Sequence, residues 1–99
     1  MERTEVKVES YRFIVHGRVQ GVFYRKFVAQ KLRALGIQGY VRNLPDGTVE
    51  VVARLSEDQL DAVLQTLKEG SPMSEVEDIT VEVLDEDDLL YDGFEIRYE

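Results

Sequence analysis

Residues 8–36 read VESYRFIVHGRVQGVFYRKFVAQKLRALG. From Val8 to His16, Tyr11, Phe13 and Val15 share one parity, while Arg12, Ile14 and His16 share the other. That alternation predicts a strand with one core face. Gly17 to about Val22 is a glycine-bounded loop. From about Phe23 to Leu35, Tyr24, Val28, Leu32 and Leu35 fall at offsets of 4, 4 and 3. This is the apolar stripe of an amphipathic helix. Gly36 follows, where a left-handed C-cap is expected. A strand that passes through a glycine loop straight into a helix opens a βα unit, and the remaining chain must supply the sheet.

It does so in a readable order. A second strand is expected over about Ile37 to Leu44. The turn Leu44-Pro45-Asp46-Gly47-Thr48 follows, in which proline presets φ and glycine accepts positive φ. The third strand, Val49 to Leu55, points Val49, Val51, Ala53 and Leu55 to one side, so the pair forms a hairpin. Ser56 and Gln59 have capping-box spacing. Leu60, Val63, Leu64 and Leu67 then form a second helical stripe, closed by Gly70 and Pro72. Ile79, Val81 and Val83 alternate on a fourth strand, and Phe94, Ile96 and Tyr98 on a short fifth. The fold class is α+β: a ferredoxin-like βαββαβ chain plus a final strand, with two helices on one face of an antiparallel sheet.

The chain has 99 residues, 43% hydrophobic and 32% charged, enough for one domain over 1–99 with its own core. Residues 1–7 are expected to form a flexible N-terminal segment. There is no cysteine, which excludes disulfides, thiolate catalysis and thiolate metal sites. Met1 to Ser10 holds no apolar run, so no secretory leader is expected and a cytoplasmic location is. No stretch approaches the ~20 apolar residues of a membrane helix. A net charge of −8 argues against general nucleic-acid binding. The charge is uneven: residues 1–55 hold ten Lys/Arg and five Asp/Glu, residues 56–99 two and fifteen. Arg18, Arg25, Lys26 and Arg42 cluster around the informative motifs. The acidic run Asp85 to Asp88 lacks the glycine and spacing of a calcium loop and reads as a solvated connection.

The segment Gly17-Arg18-Val19-Gln20-Gly21-Val22-Phe23-Tyr24-Arg25 carries the chemistry. A helix start leaves unpaired N–H groups with partial positive charge. A loop with two glycines can curl so that such groups converge on a tetrahedral anion. Arg25, in the first helical turn, can grip two phosphate oxygens with its fork. It is not a nucleotide P-loop, because no Gly-Lys-Ser/Thr follows. Pattern alone leaves an ordinary βα loop with an incidental arginine equally open.

The same segment resembles the signature loop of the acylphosphatase family. Gly39-Tyr40-Val41-Arg42-Asn43-Leu44-Pro45-Asp46-Gly47-Thr48-Val49-Glu50 resembles that family's second signature, and Lys68-Glu69-Gly70-Ser71-Pro72 a weaker feature after the second helix. The resemblance runs from about Tyr11 to Tyr98. It implies hydrolysis of acyl phosphates to carboxylate and inorganic phosphate, without metal or other cofactor. It implies that Arg25 binds the phosphate and that Asn43 positions the attacking water. The backbone amides of Val19 to Tyr24 would form the cradle. Phe23 stands where many members carry glycine, Tyr24 replaces the usual Phe, and Leu55 stands where many carry glycine.

The residues themselves leave Asn43 open between a turn-former ahead of Pro45 and an amide that orients water; an amide is no base at neutral pH. His16, the single histidine, falls on the parity opposite Tyr11, Phe13 and Val15, so a structural or surface role is expected. One His, no Cys and scattered carboxylates make no metal set. A monomer acting on small molecules is expected, with neither nucleic acid nor membrane as partner. Two alternatives stand beside it. One is a non-catalytic domain that binds a small anion. The other is an RNA-binding domain of the same topology, which needs exposed aromatics on a basic sheet.

Overall fold

A computed structural model describes residues 7–84 and 93–98. The elements are β1 (Val8–Arg18), α1 (Tyr24–Ala34), β2 (Gln38–Asn43), β3 (Val49–Ser56), α2 (Glu57–Glu69), β4 (Glu75–Leu84) and β5 (Phe94–Arg97). The sheet order is β4-β1-β3-β2-β5. The fold is the ferredoxin-like α+β arrangement, with one correction: the sheet is mixed. β1 pairs antiparallel with β3 and β4, and β2 with β3, but β5 runs parallel to β2. The reason is the end at which β5 starts. Leu84 closes β4 beside Ser10, and Phe94 opens β5 beside Gly39. Both lie at the end where β1 and β2 begin, so β5 must share their direction. The expectations for residues 1–6 and for the acidic run Asp85 to Asp88 lie outside the described residues.

The strands turn the expected parity inward. Tyr11, Phe13, Val15, Val41, Val49, Val51, Ala53 and Leu55 are buried in one cluster with Tyr24, Val28, Ala29 and Leu32 of α1 and Val63 and Leu67 of α2. Leu55 lies inside β3, paired with Glu9, so no turn interrupts the strand there. Leu35 is a second correction: it is 42% exposed, and Ile37 takes its place in the core at 2%. The helix ends one residue early, in a Schellman motif. Gly36, at φ 72°, donates its N–H to Arg33 O, and Ile37 donates to Leu32 O, both at 3.0 Å. That closure swings Ile37 back onto Leu32. Val81 and Val83 alternate on β4 as expected. They pair with Phe13 and Tyr11, yet are 42% and 52% exposed, because β4 is an edge strand beyond the full cover of the helices. The capping box of α2 is present, with Ser56 N–H donating to Gln59 Oε1 at 3.0 Å.

The helix-free face is held by charge. Glu50, only 3% exposed, lies at its centre and accepts hydrogen bonds from Arg12 Nε (2.6 Å), Arg42 Nε (2.7 Å) and Tyr40 OH (3.0 Å). Arg12 also reaches Glu82 at 2.8 Å, and the Arg97 guanidinium lies 3.9 Å from the Tyr40 ring centroid. This chain of contacts crosses all five strands. Arg42, inside the second motif, is committed to this face, because alternation along β2 turns Arg42 and Asn43 to opposite faces. Among the described strands Tyr40 is the one aromatic on this face, and it lies under Arg97. The exposed stacking platform that RNA recognition needs is absent from the described strands.

Candidate active site

The loop between β1 and α1 begins with a break in pairing. The β1–β4 register shifts between His16 and Gly17. Gly17 has φ 130°, and a Cβ there would overlap the Glu75 carbonyl, so the close strand approach requires glycine. Farther on, positive φ returns at Gly21 (72°) and Phe23 (61°), while Gln20 and Val22 stay negative. Such alternation turns successive N–H groups toward one concavity. Among the described residues no hydrogen bond is found from the N–H groups of Gln20, Gly21, Val22 or Phe23. Val19 and Val22, 1% and 6% exposed, anchor the loop in the core.

Two side chains tie this loop to neighbouring segments. Gln20 donates from Nε2 to Leu44 O and Thr48 O, both at 2.8 Å, and so grips the β2–β3 turn. That turn is pinned independently. Asp46 Oδ1 accepts from Thr48 Oγ1 (2.6 Å) and Thr48 N (3.0 Å), which holds the Asp46 carboxyl below its usual range. On the other side, Ser71 Oγ donates to Val22 O at 2.7 Å. The Tyr24 hydroxyl points away from the loop and donates to Leu67 O at 2.8 Å; burial pushes its pKa up. Only the backbone of Tyr24 therefore belongs to the loop's concave side. No local spacing signals the Gln20 and Ser71 contacts, which join segments 24, 28 and 49 residues apart.

Phe23 is the N-cap of α1 in left-handed geometry, without a side-chain cap, and the first turn contains no acidic residue. Arg25 and Lys26 stand there instead. Cations at a helix N-terminus oppose the dipole, by roughly 0.3–1 kcal/mol each. The end is thus strongly positive and uncompensated, as a site for an anion should be. Arg25 Nη1 donates to Arg97 O at 2.9 Å, and its guanidinium carbon lies 4.7 Å from the Tyr98 ring centroid. Val19, Gly21, Phe23, Arg25, Lys26 and Tyr98 line a cleft of about 390 Å³.

Of the sequence-derived site residues, Arg25 and the glycine loop meet in this cleft. Arg18 does not: it is exposed at the end of β1, opposite Glu75. Asn43 lies outside the cleft wall but next to it. It shares the helix-side parity of Val41, and the Arg42–Arg97 pairing sets it beside the end of β5, which Arg25 holds. Its neighbour Leu44 is held by Gln20. The Asn43 Oδ1 is buried and has no hydrogen-bond partner. A buried acceptor left unmet costs on the order of 1–3 kcal/mol, so the position calls for a donor such as water. His16 is half-buried on the other face, opposite Asp78. Among the described residues no three His, Cys, Asp or Glu side chains are grouped to hold a metal, and no helix is long and apolar enough to cross a membrane.

Comparison with known proteins bears on the family and the fold. The Acylphosphatase family model matches residues 11–96. An acylphosphatase of Caldivirga maquilingensis is 43% identical over 91 residues, covering 89% of this chain and 93% of its own. One from Bacillus licheniformis is 45% identical over 86 residues, covering 87% and 91%. The crystal structure of the acylphosphatase from Bacillus subtilis superposes with a TM-score of 0.84 at 38% identity, covering 93% of this chain and all of that one. The chain belongs to the acylphosphatase family.

Proposed function

We propose that the cleft binds the phosphoryl group of an acyl phosphate and catalyses its hydrolysis: acyl phosphate dianion + water → carboxylate + dihydrogen phosphate. The observation that carries this reading is the set of unpaired N–H groups at a positive helix start, facing a cleft walled by Arg25. The amides of Val19 to Tyr24 take the phosphoryl oxygens. Arg25 uses one N–H on Arg97 O and keeps the others for substrate, so β5 aims the fork. The unmet Asn43 Oδ1 accepts a hydrogen bond from a water and turns its lone pair toward phosphorus. Phosphoryl transfer passes through a loose transition state, so positioning and charge stabilisation supply most of the rate. A carboxylate leaves without a protein acid, and the phosphoryl oxygens accept the water's proton.

The same reading takes the protein as a metal-independent monomer of the cytoplasm, with neither nucleic acid nor membrane as partner. Turnover of benzoyl phosphate, with and without EDTA, tests it. Equal release of benzoate and phosphate in both conditions is expected. Phosphate binding without benzoate release would reduce the domain to a passive anion binder, and activity restored after EDTA by one metal would overturn the metal-free mechanism.

A further inference from the structure

Ser71 is 4% exposed, follows α2, and directs its hydroxyl 49 residues back along the chain to the Val22 carbonyl. Its own place is fixed twice. Ser74 donates to Ser71 O from its backbone N–H (3.0 Å) and its Oγ (2.8 Å). Gly70 reaches this turn with φ 66°, where a Cβ would overlap Ser74 Oγ. The hydroxyl is therefore presented by a braced turn.

The consequence falls on the next amide. The described peptide bonds are trans. Across a trans peptide the C=O and the following N–H point in opposite directions. With the Val22 carbonyl aimed at Ser71, the Phe23 N–H is aimed away from it. Phe23 borders two separate clefts, one lined by Ser71 and Pro72 and the other by Gly21 and Arg25. We infer that Ser71 is a positioning residue for the anion cradle: its hydroxyl holds the Val22–Phe23 peptide so that the Phe23 N–H faces the Arg25 cleft. The inference rests on the reading that this cleft takes the phosphoryl group. It also gives the Gly70-Ser71-Pro72 segment a task in the reaction, though it never touches substrate.

The test compares inorganic phosphate binding by calorimetry, at constant ionic strength in chloride, for wild type, Ser71→Ala and Ser56→Ala. Ser56 caps α2 at the opposite end of the sheet, beside Val8, so its loss destabilises the fold without touching the loop. Ser71→Ala is expected to bind phosphate at least about tenfold more weakly, the loss for one hydrogen bond to a charged acceptor. Ser56→Ala should keep wild-type affinity. In amide NMR spectra, the Phe23 N–H should shift on phosphate addition in wild type and much less in Ser71→Ala, while Gly21 still responds. Should Ser71→Ala not fold, Ser71→Cys keeps a weaker donor of similar size, and its affinity should fall between. Wild-type affinity in Ser71→Ala or Ser71→Cys, or an unchanged Phe23 shift, overturns the inference. Wild type that binds no phosphate overturns the cleft reading itself, and the role of Ser71 with it.

Discussion

Phe23 offers a direct probe of the loop's backbone. Its φ of 61° and ψ of 21° place a bulky residue in left-handed space, and its side chain is 76% exposed. Left-handed geometry costs a non-glycine residue about 1–2 kcal/mol. Removing the ring loses little burial. The informative comparison is therefore Phe23→Gly against Phe23→Ala, because ring loss is common to both. Alanine keeps the Cβ and the strain. Glycine removes the strain but gives the unfolded chain more freedom, worth about 0.4–1 kcal/mol in the opposite sense. The balance puts Phe23→Gly above Phe23→Ala by about 0.5–1 kcal/mol. In a domain of this size, 1 kcal/mol moves Tm by roughly 4–8 °C. Thermal and urea unfolding of the two variants side by side decide it. If Phe23→Ala equals or exceeds Phe23→Gly, then φ at position 23 is not positive. The converging amides of Gly21 to Phe23 would then have to be redrawn.

Other consequences can be checked independently. Arg25→Ala should lower turnover of benzoyl phosphate on the order of 10²–10³-fold with the fold intact, and Arg25→Lys should also fail, because a point charge does not reproduce the fork. Near-normal turnover by either variant removes Arg25 from the mechanism. Burial alone would raise the pKa of Glu50, but hydrogen bonds from Arg12, Arg42 and Tyr40 outweigh it and hold the carboxyl below its usual range. Its stabilisation is therefore complete above the unfolded carboxylate range, about pH 4.3, and disappears as pH falls through the lower folded value. Glu50→Gln should cost about 1–3 kcal/mol at pH 7, and urea titrations should show that difference shrinking toward pH 3. Tyr24→Phe leaves Leu67 O without its 2.8 Å donor and should lower stability by about 1 kcal/mol in the same assay.

The parts of this fold that were legible in the sequence are those decided within a few residues. The Ser56–Gln59 capping box, the Gly36 cap and the strand parities each follow from local spacing. The positive φ of Phe23 was not among them, since no local spacing announces it. The Leu35 and Ile37 exchange escaped because periodicity cannot see a Schellman closure, which re-aims the residue after the helix. The direction of β5 escaped because it depends on the end of the sheet at which the strand starts. The reach of Ser71 to Val22 and of Gln20 to Leu44 and Thr48 escaped for a related reason: both are polar contacts between segments far apart in sequence. Arg25 and the glycine loop could be placed together from the sequence because both belong to one helix start, while spacing alone left their use open. The surroundings of Asn43 were not legible, since a buried acceptor without a partner is visible only once the chain has folded around it.

The measurement that bears most directly on the mechanism is kcat together with phosphate affinity for Asn43→Ala, on one purified preparation with its melting temperature. The amides of the loop and Arg25 remain in this variant, so phosphate should bind with little loss. The acceptor that orients water is gone, and an interaction used only in the transition state lowers kcat without weakening binding. A folded, phosphate-binding, inactive Asn43→Ala is the expected result. A variant with lowered stability and near-normal kcat in its folded fraction would return Asn43 to the turn before Pro45 and contradict the water-positioning step.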